Sequence, residues 1–157
     1  MYLIEDSNMF SRTITLTMAI GLIFSTLAAE TNSLSPFIDG YSPVSYFTVN
    51  KAEKGSPEFA VEHKGKLYYL TSAEQVEIFN QDPDKYIPRY DVCPYSLALG
   101  KITPLDPTNF KIIANTLLLF HKTDVSDGLK LWNESDITDQ ELINRANKRY
   151  IILEFNH

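Results

Sequence analysis

The chain has 157 residues, 44% of them hydrophobic and 22% charged, and its net charge is −6 at neutral pH. That is one domain's length with the composition of a globular protein, which excludes wholesale disorder. The acidic balance, with no basic patch, sets nucleic-acid binding aside.

Residues 1–29 read as a targeting segment. No charge interrupts Thr13 to Ala29, and Ile14, Leu16, Met18, Ile20, Leu22, Ile23, Phe24 and Leu27 make its apolar core. Arg12 precedes the core, Ala28-Ala29 close it, and polar Glu30-Thr31-Asn32 follow. This is the layout of a secretory signal peptide. Glu5 and Asp6 do not suit a positive leading region, so Met9 is the expected true start. The alternative is an uncleaved anchor, for which the run is slightly short of the roughly 20 residues a span requires. The expectation is an exported chain, periplasmic or secreted, that meets a membrane only if the segment is retained. Export usually accompanies disulfides. Cys93 is the only cysteine, so it is a ligand, an intermolecular partner or a buried residue.

Ser33 to Asp39 is a polar lead-in. Asp39-Gly40-Tyr41-Ser42-Pro43 predicts a turn into an aromatic extended piece, Val44-Ser45-Tyr46-Phe47. A charged loop spans Lys51 to Pro57. Phe59–His63 and Lys66–Leu70, on either side of Lys64-Gly65, predict a β-hairpin. Thr71-Ser72-Ala73-Glu74 reads as a capping box with Thr71 as the cap. The helix that follows buries Val76 and Phe79 on one face. Asp82-Pro83-Asp84 opens a short helix that packs Tyr86 and Ile87 inward before Pro88 ends it.

In Cys93-Pro94, proline at the first helical position makes Cys93 an N-cap, and Gly100 stands where that helix ends. The helix dipole and free N–H groups there favour a thiolate. Asp106-Pro107 is a turn. Phe110–Ile113 and Thr116–His121, around Ala114-Asn115, predict a second hairpin. Asp124 is read as the cap of a helix carrying Val125, Leu129 and Trp132. Thr138-Asp139-Gln140-Glu141 is a further capping box, for a helix through Leu142, Ile143 and Ala146. Tyr150–Phe155 continues that helix, adds a strand or docks elsewhere. The fold class is therefore α+β: one small domain of β-hairpins with short helices, following the signal segment.

Several of these motifs together resemble exported YHS-domain proteins. They are Asp39-Gly40-Tyr41-Ser42-Pro43-Val44-Ser45-Tyr46-Phe47, Gly55-Ser56-Pro57-Glu58-Phe59, Tyr68-Tyr69, Ser72-Ala73-Glu74 and Asp82-Pro83-Asp84-Lys85-Tyr86. Cys93 with Tyr95, Leu99-Gly100-Lys101, Asp106-Pro107 and Trp132 extend the match. The resemblance covers residues 38–136 and leaves 137–157 as a C-terminal helix and apolar tail. It implies a small α+β unit and an association with heavy-metal handling, for which metal-linked members carry cysteines. Here Ser45, Thr71 and Gln75 stand at those places. Cys93 matches a cysteine of the exported branch, although Tyr90-Asp91-Val92-Cys93 is shorter than that branch's approach and lacks its glycines.

A thiolate at Cys93 suits copper or another soft metal ion, with His121 as the companion ligand and His63 as a further candidate. The three methionines, Met1, Met9 and Met18, all precede the mature chain. Against this stands a buried structural cysteine, with His121 a solvent-facing strand end, His63 solvated beside its turn and His157 terminal. Tyr41, Tyr46, Tyr68, Tyr69, Tyr86, Tyr90 and Tyr95 line a small-ligand pocket or form an amphipathic shell of the core. No Gly-x-Ser-x-Gly, His-Glu-x-x-His or phosphate-binding glycine loop is present. The expected function is thus non-catalytic binding of a metal ion or small ligand near Cys93. The alternative is a structural or protein-interaction module with Cys93 in its core. A thiol-dependent enzyme is the third reading.

Overall fold

The computed structural model describes residues 35–154. The signal segment, the Met9 start, Phe155 and His157 lie outside the described residues. Among those described, the chain is α+β, with two two-stranded antiparallel sheets among short helices.

A turn at Phe37–Gly40 precedes α1 (Ser45–Thr48). The extended piece predicted at Val44–Phe47 is instead this single helical turn. The amides of Phe47 and Thr48, and the Thr48 hydroxyl, all converge on the Val44 carbonyl. Coiling the segment buries Val44 and Tyr46 completely and brings the Tyr46 hydroxyl to the Pro107 carbonyl at 2.8 Å. Tertiary packing therefore overrides the weak β preference of these residues.

The first predicted hairpin is β1 (Ser56–His63) paired with β2 (Lys66–Leu70). Helix α2 (Ala73–Gln81) follows, and its cap is Ser72, not Thr71. The Ser72 hydroxyl accepts the Gln75 N–H at 3.3 Å, while Gln75 Oε1 reaches back to the Thr71 N–H at 3.2 Å. The box is shifted by one residue because Gln75, rather than Glu74, turns inward. Helix α3 (Pro83–Tyr86) starts on its proline as predicted and buries Tyr86.

Helix α4 (Pro94–Ala98) begins after Cys93, which is its N-cap residue but makes no side-chain capping bond. Gly100 closes it with φ of 80°, a left-handed conformation that suits glycine after a helix end. The second hairpin pairs β3 (Phe110–Ile113) with β4 (Thr116–Leu119). Its turn residues Ala114 and Asn115 both have positive φ, 47° and 61°, as a tight two-residue hairpin requires. Strand β4 is buried on both faces. Leu118 points into a cluster with Cys93, Leu97, Phe120, Trp132, Leu142 and Ala146, whereas Leu117 and Leu119 meet Ile38 and Tyr46. That two-sided burial explains an uninterrupted apolar run where a half-exposed strand would alternate.

Helix α5 (Gly128–Asn133) is capped by Asp127, whose carboxylate accepts the N–H groups of Leu129 and Lys130. The cap predicted at Asp124 is displaced because Lys122 and Asp127 bridge across a tight turn, with the Thr123 N–H on the Ser126 carbonyl at 2.8 Å. Val125 lies at the tip of that turn, 94% exposed, and packs against no helix. Helix α6 (Asp139–Glu154) is capped by the Thr138 hydroxyl, which accepts the Glu141 N–H. It runs on through Tyr150, so the first of the three alternatives for the C-terminal run holds. Leu142 and Ala146 place α6 in the same core as Cys93.

Candidate functional site

Cys93 and His121, 28 residues apart in sequence, meet in this core. Three features of the chain bring them together. The Cys93 N–H bonds the Thr103 carbonyl and its own carbonyl starts α4, which fixes the start of that helix. Ladder pairing in β4 stops at Leu119, two residues earlier than predicted. Beyond it the Phe120 amide bonds the Asn109 carbonyl, and the Asn109 side chain holds the His121 carbonyl at 3.0 Å. The His121–Gly128 loop then folds back, with the Gly128 N–H on the His121 carbonyl at 2.9 Å.

The result is a direct contact of 3.2 Å between His121 Nδ1 and Cys93 Sγ. The opposite ring nitrogen, Nε2, lies 2.8 Å from the Ser126 hydroxyl. Ser96 Oγ lies 3.4 Å from Nδ1 and accepts a hydrogen bond from Thr103 Oγ1 at 2.7 Å. A ring that donates from Nε2 to Ser126 presents a lone pair at Nδ1 to the Cys93 S–H, so every polar atom of the cluster has a partner. His121 is thus not a solvent-facing strand end, the alternative weighed in the sequence. Once the strand ends, its side chain is free to turn toward Cys93.

Cys93 is completely buried. Gly128 closes the space above it: a methyl group there would stand 2.7 Å from His121 Nδ1 and 3.0 Å from Cys93 Sγ. Gly128, Ser126, Ser96 and Thr103 were not singled out in the sequence. The one available signal was a glycine directly after a capping aspartate, in a helix that had no other need of it.

The Cys93–His121 contact is shorter than the separation that a shared metal ion would set. A thiolate and an imidazole bound to one tetrahedral ion stand about 3.6 Å apart, given metal–ligand bonds of about 2.3 and 2.1 Å. Here the two donors are in hydrogen-bond contact. Among the described residues no group of three or more His, Cys, Asp or Glu side chains is placed to hold a metal ion. His63 does not join the pair. Its Nε2 lies 2.8 Å from Asp84 Oδ1, which also receives Lys64 at 2.7 Å. Those hydrogen bonds, first from Lys64 and then from His63, hold the Asp84 carboxyl below its ordinary range.

A second polar cluster gathers Ser42, Ser45 and Gln75 with the backbone N–H of Thr71. The Gln75 amide donates to Ser45 Oγ at 3.0 Å, and Ser45 donates to Glu53 Oε2 at 2.8 Å. Ser42 donates to Gln75 Oε1 at 2.6 Å, the same oxygen that takes the Thr71 N–H. Ser42 and Ser45 are fully buried. These groups satisfy one another.

The tyrosines do not converge on one pocket. Tyr46, Tyr68, Tyr86 and Tyr90 are buried, and they are divided among three separate clusters. Burial pushes the Tyr68 phenol up to about 12, and raises those of Tyr46 and Tyr90 as well. The arrangement is the amphipathic core shell of the sequence reading. Among the described residues no helix is long and apolar enough to cross a membrane. Comparison of the chain with protein-family models, with curated proteins and with solved structures finds no match.

Proposed function

We propose that this chain is an exported, YHS-like module that acts through its surface, and that the Cys93–His121 pair fastens its core. The observation that carries this reading is the complete burial of Cys93, with Sγ engaged by His121 Nδ1 at 3.2 Å beneath Gly128. A nucleophile must reach a substrate, and a soft metal ion would have to push the two donors apart. Here the contact does what a buried polar pair does in a core, joining α4 to the loop before α5.

The YHS-like part of the proposal rests on the motifs between residues 38 and 136. It gains support from the hydrogen bond between Gln75 and Ser45, two of the places the resemblance groups as cysteine positions, which lie 30 residues apart in sequence. In this chain hydrogen bonds stand where thiolates would bind. Export rests on the apolar run from Thr13 to Ala29.

The experiment is a titration of the purified protein with Cu(I) and with Zn(II), comparing wild type with Cys93→Ala. Equal, weak binding by both proteins is expected. Stoichiometric binding that disappears in Cys93→Ala would replace this reading with the metal-binding one. N-terminal sequencing of the exported chain tests the other half, with a new terminus after Ala29 as the expected result.

A further inference from the structure

Three exposed aliphatic side chains line one face, while Val49, Val125, Leu131 and Ile151 stand outside it. Leu99 is 45% exposed and Ile102 62% exposed, both on the loop leaving α4, and Ile152, 54% exposed, lies on the last turns of α6. Two shallow grooves connect them. One, of about 480 Å³, runs between Leu99 and Ile152 past Arg145 and Lys148. The other, of about 220 Å³, runs between Ile102 and Ile152 past Lys101, and Arg149 lines both. On α6 the positions 145, 148, 149 and 152 follow the three- and four-residue spacing of a single helix face.

The charge of this face runs against that of the chain. The whole protein carries −6, yet four cations rim these aliphatic tips. Arg145 is held by Glu141 at 2.8 Å, and Arg149 by the Leu97 and Ala98 carbonyls. Lys101 and Lys148 make no ion pair among the described residues. Protein interfaces concentrate their affinity in aromatic and arginine anchors seated in pockets. These grooves contain no aromatic residue, and both of their arginines are already held within the chain, Arg145 by Glu141 and Arg149 by backbone carbonyls. Aliphatic tips beside long lysines instead suit the boundary between lipid headgroups and acyl chains, where the lysine stems lie along apolar surface and the ammonium groups reach phosphate.

We propose that this face docks on an anionic lipid surface, with Leu99 and Ile102 entering the headgroup boundary and Lys101 and Lys148 contacting the headgroups. The proposal takes from the preceding section only that the protein acts through its surface, and it is tested without any metal readout.

The test uses the full chain and a local probe, so that binding through the N-terminal apolar run is told apart from binding through this face. Tryptophan is placed at Ile102, or at Val125 as a control outside both grooves. Vesicles are phosphatidylcholine with or without phosphatidylglycerol, each doped with brominated phosphatidylcholine as a quencher. The expected result is quenching of the residue-102 tryptophan by the anionic vesicles alone, with the residue-125 probe and native Trp132 unaffected. Lys101→Ala and Lys148→Ala should each weaken partitioning about fivefold, and added salt should weaken it further. Absence of quenching at 102, equal quenching at 125, or equal quenching by neutral vesicles would overturn the proposal. So would lysine-dependent binding of polyglutamate without vesicle partitioning, which would make the face an acidic-protein interface.

Discussion

Replacing Gly128 with alanine tests the closure over the Cys93–His121 pair. The new methyl would stand 2.7 Å from His121 Nδ1, 3.0 Å from His121 Cε1 and 3.0 Å from Cys93 Sγ, where ordinary contact begins at 3.4 Å. Neither neighbour is free to retreat, because Cys93 sits at the start of α4 and the ring is held by Ser126. Overpacking of this kind costs about 1–3 kcal/mol. The lost flexibility of the unfolded chain returns about 0.4–1 kcal/mol. A net loss of about 1–2 kcal/mol is expected, read as a lower urea midpoint at unchanged slope. The same substitution made in Cys93→Ala should be milder by about 1 kcal/mol, because the ring can move into the vacated space. A Gly128→Ala protein as stable as wild type, or a double mutant that is simply additive, would refute the close packing of these three residues.

Two further outcomes follow from the same geometry. Ser72→Ala should lower stability by about 1 kcal/mol, whereas Thr71→Ala should change it by a few tenths, because the α2 cap is Ser72; equal effects in urea titrations would contradict the assignment. The Tyr68 phenol, pushed by burial from 10.0 to about 12, binds its proton more tightly in the folded state than in the unfolded one. Its contribution to stability is therefore intact below pH 10.0 and is lost as the pH rises from there toward 12. Urea midpoints measured across that range should fall, and Tyr68→Phe should flatten the fall.

Local chemistry made much of this fold legible. Both hairpins, the proline-started helices α3 and α4, and the Thr138 cap follow from turn and cap residues whose effect is confined to a few positions. The errors lie where distant residues decide. Val44–Phe47 coils because Tyr46 must reach Pro107, and the α2 cap shifts because Gln75 has partners in Ser42 and Ser45. Asp124 and Asp127 both precede apolar residues at helical spacing, and only the turn joining Lys122 to Asp127 selects the second. The candidate site was half legible. Cys93 stands out as the only cysteine and as a helix start. His121 turns toward it only because the strand stops at Leu119, and Gly128 acquires its role from a contact that no spacing in the sequence encodes.

If Cys93 is a closed, core-fastening thiol, its reaction with a small thiol reagent in the native state reveals it. Labelling should be blocked under native conditions, and in rising urea its extent should follow the unfolding transition seen by Trp132 fluorescence. Rapid labelling of the folded protein, at a rate independent of urea below the transition, would contradict it and return Cys93 to the roles of ligand or nucleophile.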